Sequence, residues 1–245
     1  MSTPRLSLVV PAYNEERYLP RLLDTVDDAR TRFVARGGTL EVIVADNGST
    51  DATARVALDR GCRVVPVTTR NIAAVRNGGA RAARGDIVAW VDADHRIHPD
   101  TFTVIDELMR SDRVVGGSSG ATPERWSLGL AATYAGMVVF VWVTGCDTGV
   151  LFCRRADFDA IGGYDERWRA AEDVMFLLAL KARGKARRQR LVRARGIKVI
   201  WSTRKFDERG DWHYFRFLPR VPGFFLRRGQ QWDEFLEGYW YRPNR

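Results

Sequence analysis

Four short β-branched runs, each followed by an amphipathic stretch, occupy the first two-fifths of the chain and restrict its fold more than any other feature. Residues 6–10, 40–45, 63–67 and 87–91 have the length and side chains of strands. Residues 15–35 place Leu19, Leu22, Leu23, Val26, Ala29 and Phe33 at helical spacing, and 51–60 and 72–84 also read as helices. Ser49 or Thr50 is a natural N-cap for the second of these. Strand–helix alternation of this kind implies an α/β chain with a mostly parallel sheet and crossover helices. Ligands of such sheets collect at the carboxyl ends of the strands. Three of those ends carry polar groups: Tyr13-Asn14-Glu15, Asp46-Asn47, and Asp92 with Asp94.

Asp92-Ala93-Asp94 is the sharpest chemical signal. If the strand at 87–91 continues through it, both carboxylates fall on one face, since strand side chains alternate. Two carboxylates aimed together call for a cation, and a hard divalent ion such as Mg²⁺ or Mn²⁺ takes oxygen ligands from carboxylates and substrate phosphates alike. The competing reading is an Asp-rich turn before a helix started by His98-Pro99-Asp100. In a strand His95 would point away from the carboxylates, and His98 reads as a turn residue.

Downstream, residues 113–115 and 149–154 suggest strands. Gly162-Gly163-Tyr164-Asp165 makes a turn, and 171–183 reads as a helix opened by Glu172-Asp173. From Ser127 to Cys146 no residue is charged. Those 20 residues would just reach across a bilayer, but seven Ser, Gly, Thr and Tyr positions dilute them, so a buried helix of a large core is expected. The net charge of +9 is concentrated at the end: residues 181–245 carry 18 Lys/Arg against 6 Asp/Glu, mixed with aromatics. A nucleic-acid binder would spread that charge differently. A non-catalytic protein that binds polyanions or membrane surfaces through this tail stays open as an alternative. Three cysteines without a C-x-x-C pair suit reduced thiols, and no leader precedes the first strand, which points to a cytoplasmic protein.

With these pieces in order, the chain resembles the family 2 glycosyltransferases, nucleotide-sugar enzymes of the GT-A fold. The resemblance rests on Val10-Pro11-Ala12-Tyr13-Asn14-Glu15, Val44-Ala45-Asp46-Asn47-Gly48-Ser49-Thr50-Asp51, and Asn71 with Val75-Arg76-Asn77-Gly78-Gly79-Ala80. Gly85-Asp86-Ile87 leading to Asp92-Ala93-Asp94, Gly162-Gly163-Tyr164-Asp165 and Glu172-Asp173 complete it. It covers residues 5 to about 184, and so implies a GT-A domain over 1–184. That domain would have a nucleotide-binding half to about residue 95, an acceptor half over 96–184, and a C-terminal extension over 185–245.

The resemblance implies a metal-dependent enzyme that moves a sugar from a UDP- or GDP-sugar to an acceptor hydroxyl. Pro11, Ala12, Tyr13, Glu15, Asp46, Asn71, Arg76 and Asp92 would meet the nucleotide sugar. On composition alone, a helix-surface arginine is the competing reading of Arg76. Asp94, with Asp92, would hold Mn²⁺ or Mg²⁺, and His213 on the tail is either a further ligand or a packing histidine. Asp173 would be the general base, which favours inversion, and Glu172 its neighbour. An anionic or lipid-linked acceptor, peripheral contact with the inner face of a membrane, and a homodimer fit the basic aromatic tail. A sugar nucleotidyltransferase is the competing enzyme class, but Pro-Ala-Tyr-Asn-Glu stands where its glycine-rich loop would follow the first strand. A dinucleotide oxidoreductase lacks its G-x-G-x-x-G there.

Overall fold

A computed structural model describes residues 3–216. The chain divides into two compact units. Of the described residues, the larger comprises 3–122 and 146–201, and the smaller 123–145 and 202–216.

The larger unit is built on a seven-stranded sheet of order β3-β2-β1-β4-β8-β6-β9. Its strands are β1 (Leu6–Ala12), β2 (Leu40–Asp46), β3 (Arg63–Pro66), β4 (Ile87–Trp90), β6 (Val114–Ser118), β8 (Leu151–Arg154) and β9 (Arg190–Arg193). The pairs β1–β2, β1–β4, β2–β3 and β6–β9 are parallel. Only β8 runs against its neighbours, pairing antiparallel with both β4 and β6. All seven residues of β1 are buried, as expected of a central strand covered on both faces. Alternate residues serve opposite cores. Leu6, Leu8, Val10, Val42, Val44, Ile87 and Ala89 pack with α1 (Leu19–Ala35) and α4 (Thr101–Met109). Val9, Ile43, Val88 and Trp90 pack with α3 (Ile72–Ala82), α6 (Arg155–Ile161) and α7 (Glu172–Ala186). The closest approach is at Gly79 of α3, where any Cβ would collide with Val9 of β1. Glycine is what lets that helix lie on the sheet.

Several local boundaries differ from those expected. α1 begins at Leu19, not at residue 15, because Pro20 falls where a helix start accommodates it and Asn14 turns the chain with φ 53°. α2 (Thr53–Asp59) is entered through Asp51, which accepts the Thr53 N–H at 2.9 Å. Ser49 and Thr50 serve Asn14 instead: the Ser49 hydroxyl accepts its N–H, and the Thr50 N–H donates to its side chain. β9 adds a strand beyond residue 184, so the sheet is not complete where the extension was expected to begin. A second sheet of order β5-β10-β7 joins β5 (His95–Arg96), β7 (Ala121–Pro123) and β10 (Val199–Trp201).

The smaller unit contains α5 (Leu128–Thr144), α8 (Arg204–Arg209) and a short 3₁₀ turn, His213–Arg216. Arg125 ties it together, donating to Asp207 at 2.8 Å and to Asp211 at 2.7 Å. Gly129 lies so close to the Asp211 carbonyl that a Cβ would sit 2.6 Å from it. The expectation that the uncharged segment is a buried core helix is overturned. Within α5 only Gly129 and Leu130 are buried, while Leu128 is 83% and Trp142 86% exposed. No described helix is long and apolar enough to cross a membrane.

Trp90 is central to the second core, with Phe158, Tyr164 and Phe176 rings at 5.3–5.5 Å. Trp90→Ala is therefore expected to cost ~3–5 kcal/mol of unfolding free energy, the range for deleting a buried aromatic side chain. Urea titration of the variant against the parent measures it.

Candidate active site

The co-directional strands bring their carboxyl ends to one edge of the sheet. Ala12 ends β1 directly opposite Asp46, which ends β2, and the Asn47 N–H donates to the Ala12 carbonyl. Pro11 and Ala12 are thus fixed in β1 itself, and Tyr13 follows at once. The Asp46 carboxylate accepts the Ser49 N–H at 3.3 Å. Arg70 reaches the Tyr13 hydroxyl at 3.1 Å and lies over its ring. Glu15 is buried, and its N–H donates to the Thr53 hydroxyl at 2.7 Å.

β4 ends at Trp90, so Asp92 and Asp94 lie in a turn. The His95 N–H closes that turn onto the Asp92 carbonyl at 3.1 Å. The same-face argument from strand alternation does not apply to them. Nor does it for His95, whose Nε2 lies 3.7 Å from an Asp94 carboxylate oxygen instead of facing away.

Arg76 is the hub of this edge. It is only 8% exposed, and its two terminal nitrogens donate to Glu172 at 2.6 Å and to Asp92 at 2.9 Å. One guanidinium thereby links the turn after β4 to the first turn of α7. Burial disfavours its charge, but Asp92 and Glu172 outweigh this and hold it protonated, well above its ordinary value. Burial in turn pushes the Glu172 carboxyl above its ordinary range, Arg76 pulls against that, and Asp173 adds to the push. Tyr164 places its ring 5.5 Å from the guanidinium carbon, a cation–π distance, and the indole N–H of Trp90 donates to the Arg76 carbonyl at 3.3 Å. The helix-surface reading of Arg76 is excluded.

Glu172 and Asp173 open α7, preceded by Ala171 at φ 56°. A non-glycine residue in that region costs energy and persists where the surroundings over-determine it. Asn71 caps α3 by accepting from Ala73 and Ala74, and its amide donates to the Glu166 carbonyl. Asn77 is a clamp that was not singled out as a site residue. Its side chain donates to the Tyr164 carbonyl and accepts the Tyr164 N–H, fixing the Gly162–Tyr164 turn to α3. Only its place inside the Arg76-Asn77-Gly78-Gly79 motif signalled it. His213 belongs to the smaller unit, where its Nδ1 lies 2.8 Å from the Gly210 carbonyl and its ring meets Phe206 edge-on.

Among the described residues, no three His, Cys, Asp or Glu side chains cluster as a closed metal cage. Two carboxylates in a turn nonetheless fit a Mg²⁺- or Mn²⁺-type ion, which commonly takes one or two carboxylates and completes its shell with substrate phosphates and water. The donor set suits a cation that arrives with a diphosphate.

A mostly parallel sheet with acidic groups at its carboxyl edge makes this an α/β protein with a polar ligand edge, and its structural neighbours are GT-A glycosyltransferases. Residues 7–132, just over half of the chain, match the Glycosyl transferase family 2 profile, and the chain belongs to that family. It is 35% identical over 115 residues to the dolichyl-phosphate beta-glucosyltransferase ALG5A of Trichomonas vaginalis, covering 43% of this chain and 35% of that one. It is 38% identical over 126 residues to the undecaprenyl-phosphate 4-deoxy-4-formamido-L-arabinose transferase of Pseudomonas paraeruginosa, covering 45% and 34%. The chain thus spans about a third of the length of these curated relatives. Its fold matches the mannosyltransferase PcManGT of Pyrobaculum calidifontis in complex with GDP-Man and Mn²⁺. That likeness has a TM-score of 0.64 at 21% identity and covers 82% of this chain and 57% of that one.

Removing the hub takes the guanidinium away from the buried Glu172 carboxylate. Arg76→Met is expected to destabilise the protein by ~3–5 kcal/mol, as for a buried ion pair broken on one side. Chemical denaturation checks this. Asp94→Ala, at a part-exposed turn, should leave the melting temperature of the free protein unchanged. It should abolish the extra stabilisation that Mn²⁺ gives UDP or GDP, read by thermal unfolding with and without the ion.

Proposed function

We propose that this protein is a metal-dependent glycosyltransferase that moves a sugar from a nucleotide-sugar donor to an acceptor hydroxyl with inversion. The observation that carries the reading is the buried Arg76 bridge between Asp92 and Glu172, since it ties the acidic turn to the helix bearing the candidate base. Pro11, Ala12, Tyr13, Glu15 and Asp46 line the strand ends where a nucleoside would lie, with Asp46 available to accept a ribose hydroxyl or a base N–H. Asn71, capping α3, and Arg76 would meet the nucleotide sugar from that edge, and Arg76 also keeps the acidic turn in place. Asp94 and Asp92 would hold Mn²⁺ or Mg²⁺, whose positive charge offsets the negative charge that builds on the departing diphosphate. His213 is a candidate further ligand.

Asp173 would take the proton from the acceptor hydroxyl as that oxygen bonds to the anomeric carbon. The bond from that carbon to the diphosphate oxygen breaks, and its electron pair leaves with the nucleotide. Attack opposite the leaving group inverts the carbon, and a base within hydrogen-bond reach of the hydroxyl contributes through the transition state. Glu172, held by Arg76, orients the first turn of α7. A UDP- or GDP-sugar is the donor class. The names of the dolichyl-phosphate and undecaprenyl-phosphate relatives support a lipid-linked acceptor, and with it a place at the inner face of a membrane. The C-terminal extension over 185–245 is proposed to pack on or close over the site, and its residues 217–245 lie outside those described.

Thermal unfolding against UDP-, GDP- and dTDP-sugars with Mn²⁺ identifies the donor, because a ligand that binds only the folded state raises the melting temperature. No shift with any of them would remove the nucleotide-sugar reading. With the donor known, Asp173→Asn should keep donor affinity and lower turnover by ~10²–10⁴, the usual contribution of a general base. Calorimetric donor titration beside steady-state rates separates this from a binding role, which would weaken affinity and spare turnover.

A further inference from the structure

The most anomalous surface lies in the smaller unit. Twelve large apolar side chains are exposed among the described residues, and eight of them belong to residues 123–145 and 202–216. α5 supplies most of these. Its inward line runs through Leu130, Tyr134, Met137 and Val141, which are buried or half-buried. Its outward line carries Leu128, Val138, Val139, Trp142 and Val143, all exposed, with Ala131 and Ala135 between them. An ordinary surface helix turns charged residues outward. This one has none on any side.

The polar groups of α5 are turned inward on the helix itself. The Thr133 and Thr144 hydroxyls donate to the carbonyls of Gly129 and Phe140, four residues back, and Ser127 caps the first turn by accepting the Leu130 N–H. The outward face therefore offers a partner almost no hydrogen bond, whereas protein interfaces average roughly one per 100–200 Å². Hydrocarbon has no such requirement. It accepts a face whose polar groups are internally satisfied, and it rewards apolar area however small.

We propose that α5 lies in the plane of a lipid bilayer, with Leu128, Val138, Val139, Trp142 and Val143 seated at the boundary between headgroups and acyl chains. The helix does not cross the bilayer. Trp126, just before the helix, and Trp142, in its last turn, have the amphipathic rings that settle at that depth. The C-terminal part of the sequence has matching composition. Residues 202–245 hold 12 of the chain's 27 aromatic residues and carry 9 Lys/Arg against 6 Asp/Glu, a composition suited to anionic headgroups. The inference deepens the lipid-linked acceptor reading but rests on α5 alone.

The test is co-sedimentation of the full chain with vesicles of phosphatidylcholine alone and of phosphatidylcholine mixed with phosphatidylglycerol, at low and high salt. The parent protein should sediment with both, more strongly with the anionic mixture, and should keep its binding to neutral vesicles in high salt. The double variant Val139→Glu/Trp142→Glu should bind at least ~10-fold more weakly. Both positions face solvent, so its melting temperature and its nucleotide-induced shift should match the parent. Val143→Glu, expected to weaken binding to neutral vesicles as well, gives an independent check at a third exposed position. An absence of sedimentation at low salt overturns the proposal. Binding that salt abolishes and the variants do not alter also overturns it, and assigns the contact to the basic tail. A concentration-dependent dimer in lipid-free buffer, lost in the double variant, overturns it in favour of a second copy. A failed nucleotide shift with intact vesicle binding would instead count against the enzymatic reading alone.

Discussion

A single buried cation organises the candidate site. Arg76 reaches from α3 to the acidic turn after β4 and to the start of α7, and most of the surrounding packing keeps it there. Trp90 holds its carbonyl, the Tyr164 ring lies against its guanidinium, and Asn77, one residue on, pins the turn that carries Tyr164. A guanidinium removed from water needs its charge answered, and two carboxylates from distant parts of the sequence take its two terminal nitrogens, while its buried Nε has no hydrogen-bond partner among the described residues. The acidic residues are equally dependent on it. Asp92, Asp94, Glu172 and Asp173 would repel one another along this edge without a positive centre, and a divalent cation would share the task.

The sheet was legible in the sequence because its central strands are buried on both sides and so read as unbroken apolar runs. The runs that became β1, β2 and β4 are of this kind, and the motif residues at their ends fell on one edge, as parallel strands require. β9 was not read. Arg190-Leu191-Val192-Arg193 is a short edge strand whose flanking arginines look like part of the basic run around it, and charges on an edge strand guard against unwanted pairing. The start of α1 was misplaced for a local reason, a left-handed Asn14 and a proline at the helix entrance that hydrophobic periodicity does not register.

The acidic pair and the uncharged helix were misread for a shared reason. In both cases the side-chain pattern was assigned to the right region but the wrong environment. Asp92 and Asp94 were placed by strand geometry, although the strand stops two residues before the first of them. The apolar residues of α5 suggest core, since apolar residues usually find an interior. Composition reports what surroundings a segment prefers and says nothing of whether the chain itself provides them. Arg76 is the reverse case: a charged residue on a helix looks exposed until the two carboxylates that bury it are located, and those are 16 and 96 positions away.

The reversed strand β8 has a consequence for how such a chain can vary. Because it runs against the others, it enters the sheet from the edge where they leave it, with Leu151 opposite Trp90. Neighbours on both sides fix its register, residue for residue. It acts as a moored post: however long the excursion before it, the chain must return to the same point. Residues 123–145 are such an excursion in the sequence, placed between β7 and β8. They can lengthen, shorten or change character from polar to apolar without shifting a hydrogen bond of the sheet. A scaffold with one fixed re-entry point can exchange what it presents to its surroundings while its chemistry stays put.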